Sequence, residues 1–436
     1  MIARLKKYPA IYSCNFLSMK GQIHPSHSAA VYLYDRLGRT RSWLGTVLLP
    51  VLMAWGCSTT EVITANSAPA VQILESIPDN LLLDIAIQPF DPNISSANSG
   101  ADGQLSVSTD VRRAESRYIA SHLKDTLEQT GNWGTVRVIP KPSKASQLNL
   151  TGKILSSDGE ILKVAIKARD ATGRIWLNKF YDDTASRYGY QSAREDPFQD
   201  LYNDIANDLI AFHQKIQASK IAEIQVLAQL RFAADLAPDA FEDYIKESRS
   251  GQLSLVQLPA ENDLIVRRID LIRSQEELLV DTLDDYYGQF YREMKPSYDE
   301  WRYATYEEAV KLRQMKKQAR GRLLGGVALI AGGLYAGSES NTWAGNAAAA
   351  GAVVGGIGAI KSGLDRFKQA EIHEQALKEL TQSLGMEITP NILEIEGRTI
   401  ELKGSADKQF DTWRDILSEI YAEETSNSLE TGATRQ

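Results

Sequence analysis

The apolar positions along this chain change period several times, and each change marks an element. Leu83, Ile85 and Ile87 alternate with Asp84 and Ala86 until Pro89 stops the run, which predicts a strand. Residues 93–108 are a polar loop. Ala114, Tyr118, Ile119, Leu123 and Leu127 then recur at helical spacing, with Gly131 as a stop signal. Residues 136–139 form a short strand closed by Pro140 and Pro142. Three more strands are expected: at 148–154; at 162–168, where Leu162, Val164, Ile166 and Ala168 alternate with Lys163 and Lys167; and at 175–181. Asp170-Ala171-Thr172-Gly173 supplies the turn between the last two. Leu201, Ile205, Leu209 and Phe212 predict a second helix. This order makes 80–215 an α+β domain, a small sheet with helices on it.

Residues 216–320 read as helical. Ile221, Ile224, Leu227 and Leu230 form one stripe, and Ile265, Ile269, Ile272, Leu279 and Leu283 another. Tyr286, Tyr287, Phe290, Tyr291, Tyr298, Trp301, Tyr303 and Tyr306 crowd the next stretch, where helical spacing favours core packing over a ligand platform. Residues 364–425 read as helix, β-hairpin and helix, the hairpin turning at Glu396-Gly397, and 426–436 as a polar tail.

Between them, 321–363 predict a glycine-rich apolar helical hairpin. Residues 323–336 and 343–360 are uncharged, and a polar turn at 337–341 separates them. Glycine costs a helix about 1 kcal/mol relative to alanine. Close helix–helix contact through Gly325, Gly326, Gly332, Gly333, Gly337, Gly351 and Gly355 supplies a reason for keeping so many. Basic clusters flank the segment, Lys311 to Arg322 before it and Lys361 to Lys368 after it, which suits anionic headgroups. A membrane-associating pair and a tightly packed hairpin both satisfy the pattern.

The amino-terminal 56 residues read as a leader. Arg36, Arg39 and Arg41 precede an uncharged apolar run from Trp43 to Gly56, too short to span a bilayer comfortably, and Cys57 follows directly. Residues 1–35 have no clear period, as expected of a translation start assigned too far upstream. Residues 57–79, rich in Ser, Thr, Ala and Pro, read as a flexible tether. The arrangement around Cys57 resembles the lipobox of bacterial lipoproteins, with Ala54 and Trp55 where that family usually carries Leu and a small residue. The resemblance implies diacylglycerol transfer to the Cys57 thiol, cleavage before it, and, with Ser58 next, residence on the periplasmic face of the outer membrane. The layout of 80–215, with LNLTGKI and KVAIKARDATGRIWLNKF, resembles the periplasmic domain of curli-secretion and penicillin-binding-protein-activator lipoproteins. Residues 321–363 resemble a glycine-zipper paired-helix segment.

The formal net charge is −8, and loss of the leader would make it −14, which argues against nucleic acid as the main partner. Beyond Cys57 the only cysteine is Cys14, so no disulfide survives cleavage. His122, His213 and His373 fall on separate predicted helices without metal-site spacing, and no metal or cofactor is expected. Ser121/Lys124 and Ser405/Lys408 have SxxK spacing but lack the motifs that accompany it in penicillin-recognising enzymes. The acid pairs Asp182/Asp183, Asp284/Asp285 and Glu423/Glu424 suit solvated surface. The reading is therefore a non-enzymatic envelope lipoprotein, a scaffold or accessory factor for a periplasmic or outer-membrane machine. It would be acylated at Cys57 and bound to a periplasmic protein. The alternative is an oligomerising glycine-zipper component of a pore or secretion assembly.

Overall fold

A computed structural model describes residues 68–73, 77–97, 107–192, 195–260 and 264–335, then parts of 375–382 and 391–433; side chains of 315–335 and 421–433 lie outside the description. All of these belong to one unit, Val62–Gln436. Cys57, Gly337, Gly351 and Gly355 lie outside the described residues.

The fold is α+β, as expected. Strands β1 (Ile85–Ile87), β2 (Val136–Val138), β3 (Leu148–Ser157), β4 (Ile161–Asp170) and β5 (Ile175–Thr184) form one mixed sheet in the order β2-β1-β3-β4-β5. β1 pairs in parallel with β2 and β3, whereas β3, β4 and β5 are antiparallel. The turn before β5 is held by Asp170, whose Oδ1 accepts the N–H groups of Thr172 at 2.9 Å and Arg174 at 3.1 Å. Its Oδ2 accepts the Trp176 indole N–H at 2.8 Å.

Helix α1 (Thr109–Thr130) starts on the Ser108 side chain and stops at Gly131, whose φ of 68° is left-handed backbone that glycine adopts freely. α1 and α2 (Gln199–His213) cover the sheet face that carries Leu150, Ile154, Val164 and Ile166. The next helix, α3 (Ala218–Leu236), does not begin a separate core. Its Ile221, Ile224, Leu227 and Ala228 are buried in the same cluster as the sheet, so packing runs across residue 215 without a break. The helical region also contains a small hairpin that its polar sequence does not announce, β6 (Ile245–Glu247) with β7 (Leu253–Leu255).

Helix α4 (Leu264–Tyr335) is a single run of 72 residues, about 108 Å at 1.5 Å per residue. It includes Gly325, Gly326, Gly332 and Gly333, so the first arm of the predicted glycine-rich hairpin continues a longer helix. Pro296 stands exposed within it and removes one helix hydrogen bond, a cost of about 3 kcal/mol that packing on either side must offset. The predicted aromatic stripe does pack: Tyr287, Phe290, Tyr298, Trp301 and Tyr306 are buried, while Tyr303 is partly exposed. Near its start α4 packs with α3 and with α5 (Ala406–Ala433), where Trp413 is fully buried. Arg414 of α5 contacts both Asp235 and Glu276. Burial pushes the Glu276 carboxyl up to about 7, against the Ser143 hydroxyl that hydrogen-bonds it at 3.0 Å. β8 (Asn391–Ile395) and β9 (Arg398–Leu402) form the predicted second hairpin. Among the described residues no helix is long and apolar enough to cross a membrane.

His213, at the end of α2, is buried beside Trp133 and Trp176, with ring centroids 5.3 and 6.1 Å away. Burial lowers its pKa, and a hydrogen bond to the Leu81 backbone only partly opposes this. The unfolded chain therefore takes up this proton first as pH falls. The stabilising contribution is complete above about pH 6.5 and is lost as pH drops below that value toward the folded pKa. His213→Gln is expected to reduce the loss of stability between about pH 7.5 and pH 5.5, measured by urea unfolding at each pH. Parallel pH profiles for the two proteins would contradict this.

Candidate functional site

A cleft of about 780 Å³ lies between α1, the 189–199 segment and α4. Its size is that of a pocket for a small molecule or a few side chains of a partner. Four parts of the chain make its walls: Pro69, Ala70 and Gln72; His122, Thr126 and Gln129 of α1; the 189–203 segment with Asp196 and Gln199; and Lys295, Asp299, Glu300 and Tyr303 of α4.

The first wall is built from part of the predicted tether. Residues 68–73 are strapped onto the body. Asn207 Oδ1 accepts the Val71 N–H at 2.8 Å, and its Nδ2 donates to the Ala68 and Pro69 carbonyls at 3.2 and 3.3 Å. Asn132 Nδ2 donates to the Val71 carbonyl at 3.0 Å, and the Ile73 N–H reaches the Thr130 carbonyl at 2.9 Å. Two asparagine side chains substitute for a strand partner.

His122 occupies the second wall. Gln199 Nε2 donates to Asn203 Oδ1 at 3.1 Å and Thr126 Oγ1 at 3.3 Å, which leaves Gln199 Oε1 as an acceptor for His122 Nε2–H at 2.9 Å. In the neutral ring Nδ1 then accepts the Tyr291 hydroxyl at 2.7 Å. Both ring nitrogens are engaged, and the ring stacks on Tyr118 and meets Tyr202 edge-on.

Behind this wall lies the charge pair that positions it. Arg302 of α4, 1% exposed, holds Asp196 with two nearly parallel bonds, NH1 to Oδ1 at 3.1 Å and NH2 to Oδ2 at 2.8 Å, and NH2 also reaches Asp299. The guanidinium lies 4.4 Å from the Tyr298 ring centre, 5.4 Å from Tyr118 and 5.8 Å from Phe198. Tyr118 Oη and the Phe198 N–H both donate to the Asp196 carboxylate. Burial alone would raise that carboxyl. The charge and hydrogen bonds of Arg302, with the Phe198 N–H, outweigh it and hold Asp196 well below the usual carboxylate range.

One turn of backbone away, Glu115 is fully buried and accepts from Arg112 at 2.8 Å, from Ser157 and from Tyr298. Arg313 of α4 pairs with Asp158 and Glu160 in the β3–β4 turn. Gly159 of that turn has φ of 84°, and a Cβ there would lie 2.6 Å from the Arg302 carbonyl, so only glycine lets the turn sit this close to α4. The chemistry of the site is therefore positioning: Asp196 is committed to Arg302, Asp299 to Arg302 and Lys295, and His122 to Tyr291 and Gln199. Glu195 and Glu300 are exposed at the mouth and give it negative charge.

Of the residues singled out in the sequence, His122 and Tyr303 reach this cleft. Lys124 pairs with Asp284, whose Oδ1 accepts the Val138 N–H at 2.7 Å. Ser405 caps α5, accepting the Lys408 N–H at 3.4 Å. His373 lies outside the described residues, and among these residues no group of acids, histidines and cysteines has metal-binding geometry. Arg302 and Asp196 carry no signal in one dimension. Their only trace is an Arg within an aromatic-rich helix.

Arg302→Met is expected to lower stability by about 3–5 kcal/mol by leaving Asp196 buried and unpaired, and Arg302→Met with Asp196→Leu to recover much of the loss. Urea unfolding measures both. A single variant as stable as wild type would contradict the account of this pair. No family model, curated protein or solved structure matches the chain.

Proposed function

We propose that the chain is a lipid-anchored envelope scaffold, acylated at Cys57, resident on the periplasmic face of the outer membrane, and acting by holding a periplasmic protein partner rather than by catalysis. The observation that supports this reading best is the makeup of the cleft. The strap at 68–73, which continues from Cys57, forms one wall, and α4, which continues into the glycine-rich segment, forms another. A partner seated there touches both membrane-directed parts of the chain at once. The committed hydrogen bonds of His122, Asp196 and Asp299 favour a rigid receptor.

Strapping also sets the reach. Eleven residue steps separate Cys57 from Ala68, at most about 38 Å of extended chain. The body is thus held close to whatever surface the lipid enters. In this reading the glycine-rich segment is a second membrane contact, joined to the body through continuous helix.

Labelling with radioactive palmitate followed by membrane fractionation tests the proposal. Wild type is expected to take up label and Cys57→Ala to take up none. An unlabelled wild type would overturn the lipoprotein reading.

A further inference from the structure

The sheet has two unlike faces. Helices α1 and α2 cover one. On the other, residues from the start of α4 cover only the β1–β2 end: Arg137 pairs with Asp281, and Ala86 and Ile139 join the α3–α4–α5 core. Among the described residues the outer face of β3, β4 and β5 is left open, and the register fixes what it shows. Lys153, Ala165 and Phe180 lie in one row across the strands, Thr151, Lys167 and Asn178 in the next, and Asn149, Arg169 and Ile175 in a third. Lys163 stands opposite Asp182.

Lys153, Lys163, Lys167 and Arg169 are all exposed. Among the described residues Lys163, Lys167 and Arg169 form no ion pair, and Lys153 has one, with exposed Asp91 at 3.2 Å. Arg231, partly buried at the strand ends, adds to the positive field at Arg169. Four cations and two exposed acids, Asp91 and Asp182, thus meet on one flat surface that is net positive in a chain whose net charge is −8. Within them Phe180 is 65% exposed above the small side chain of Ala165, and Ile175 is 44% exposed beside Arg169. Lys163 and Lys167 stand about 13 Å apart along β4, and Lys153 stands two strands, about 10 Å, from Phe180. The ring projects from the face, with the lysine ammonium groups around it and exposed Asp182 two residues along β5 on the same side.

We propose that this open face is a docking surface for an anionic lipid membrane, with Lys153, Lys163, Lys167 and Arg169 over the headgroups and Phe180 at the headgroup–acyl boundary. Charge complementarity carries the choice of occupant. Dispersed lysines are compact point charges that suit a laterally mobile array of phosphates, and they lack the fixed fork with which arginines read one carboxylate. A protein partner's anchor would be seated in a pocket, whereas an isolated projecting aromatic among cations matches an interfacial contact. The inference rests on the lipid-anchored reading for its biological setting. Fully extended, the chain between Cys57 and Ala68 would span about 38 Å, more than the roughly 20 Å thickness of a sheet with one helical layer, which is length enough for the anchor to reach the same membrane from the strap side.

The test uses the full chain as Cys57→Ser, which cannot be acylated, in flotation with vesicles of phosphatidylcholine alone and of phosphatidylcholine mixed with phosphatidylglycerol. The parent is expected to float with the anionic vesicles only, and less as salt rises. Lys163→Glu/Lys167→Glu/Arg169→Glu is expected to lose about 100-fold in affinity, at roughly one charged contact's worth per residue. Phe180→Ser is expected to weaken binding at every salt concentration. All these positions are exposed, and an unchanged melting temperature verifies that the variants fold. Equal binding to both vesicle types, no binding by the parent, or a triple variant that floats like the parent would each overturn the proposal; the last would leave the basic flanks of the glycine-rich segment as the membrane contact. Binding of the parent to polyglutamate but not to anionic vesicles would overturn it in favour of an acidic protein. Acylation is read separately by palmitate labelling, so failure of the anchor and failure of this surface are distinguishable.

Discussion

A guanidinium with no access to water must be paired, and in this fold that requirement joins two parts of the chain. Arg302 on α4 finds its carboxylate in Asp196, on the segment that leads into α2, and its ring contacts in Tyr118 of α1 and Phe198. Removing either charge strands the other in a low-dielectric interior, so the pair is weak evidence for stability but strong evidence for a specific docking geometry. The surrounding contacts repeat the same junction. Glu115 bonds Tyr298, Asp158 and Glu160 bond Arg313, and Gly159 lets the β3–β4 turn lie against the α4 backbone. A 72-residue helix is thereby fixed at its middle, as it is nearer its start through Asp281 and Asp284, to the sheet and the helix that covers it.

That fixation explains where the cleft is and what it is made of. α4 supplies one wall, α1 with His122 another, the strap held by Asn132 and Asn207 a third, and the 189–203 segment a fourth. His122, Gln199, Asp196 and Asp299 are each held by a hydrogen-bond or ion-pair partner, which fixes their rotamers. The sheet, buried on one face by helices and open over β3–β5 on the other, then presents a second and chemically different surface, basic where the cleft mouth is acidic.

Features set by local chemistry were legible in the sequence. The Asp170–Gly173 turn, the Gly131 stop and the alternation of Leu162, Val164, Ile166 and Ala168 all depend on residues within a few positions of one another, and each took its expected form. The packing of Tyr298 and Trp301 was legible as burial, from helical spacing, but not as a site. Their partners lie on α1, which no periodicity connects to them. The strap was read as tether because Ala, Pro and Ser show no apolar period, and it is held instead by asparagine amides bonded to backbone, which leave no hydrophobic pattern. His122 was visible as a histidine without a metal-site partner. Its actual partners, Tyr291 and Gln199, are 169 and 77 residues away. Long-range polar pairing of this kind has no one-dimensional signature.

The central claim is that α4 and the sheet are one cooperative body, locked through Arg302. Native-state hydrogen exchange measures this most directly. The account predicts that the slowest amides of α4 around residues 298–306 and those of β4 open with the same free energy and respond together to low denaturant. If the α4 amides exchanged through a separate opening several kcal/mol lower than that of β4, the helix would be an appendage, and the account would be wrong.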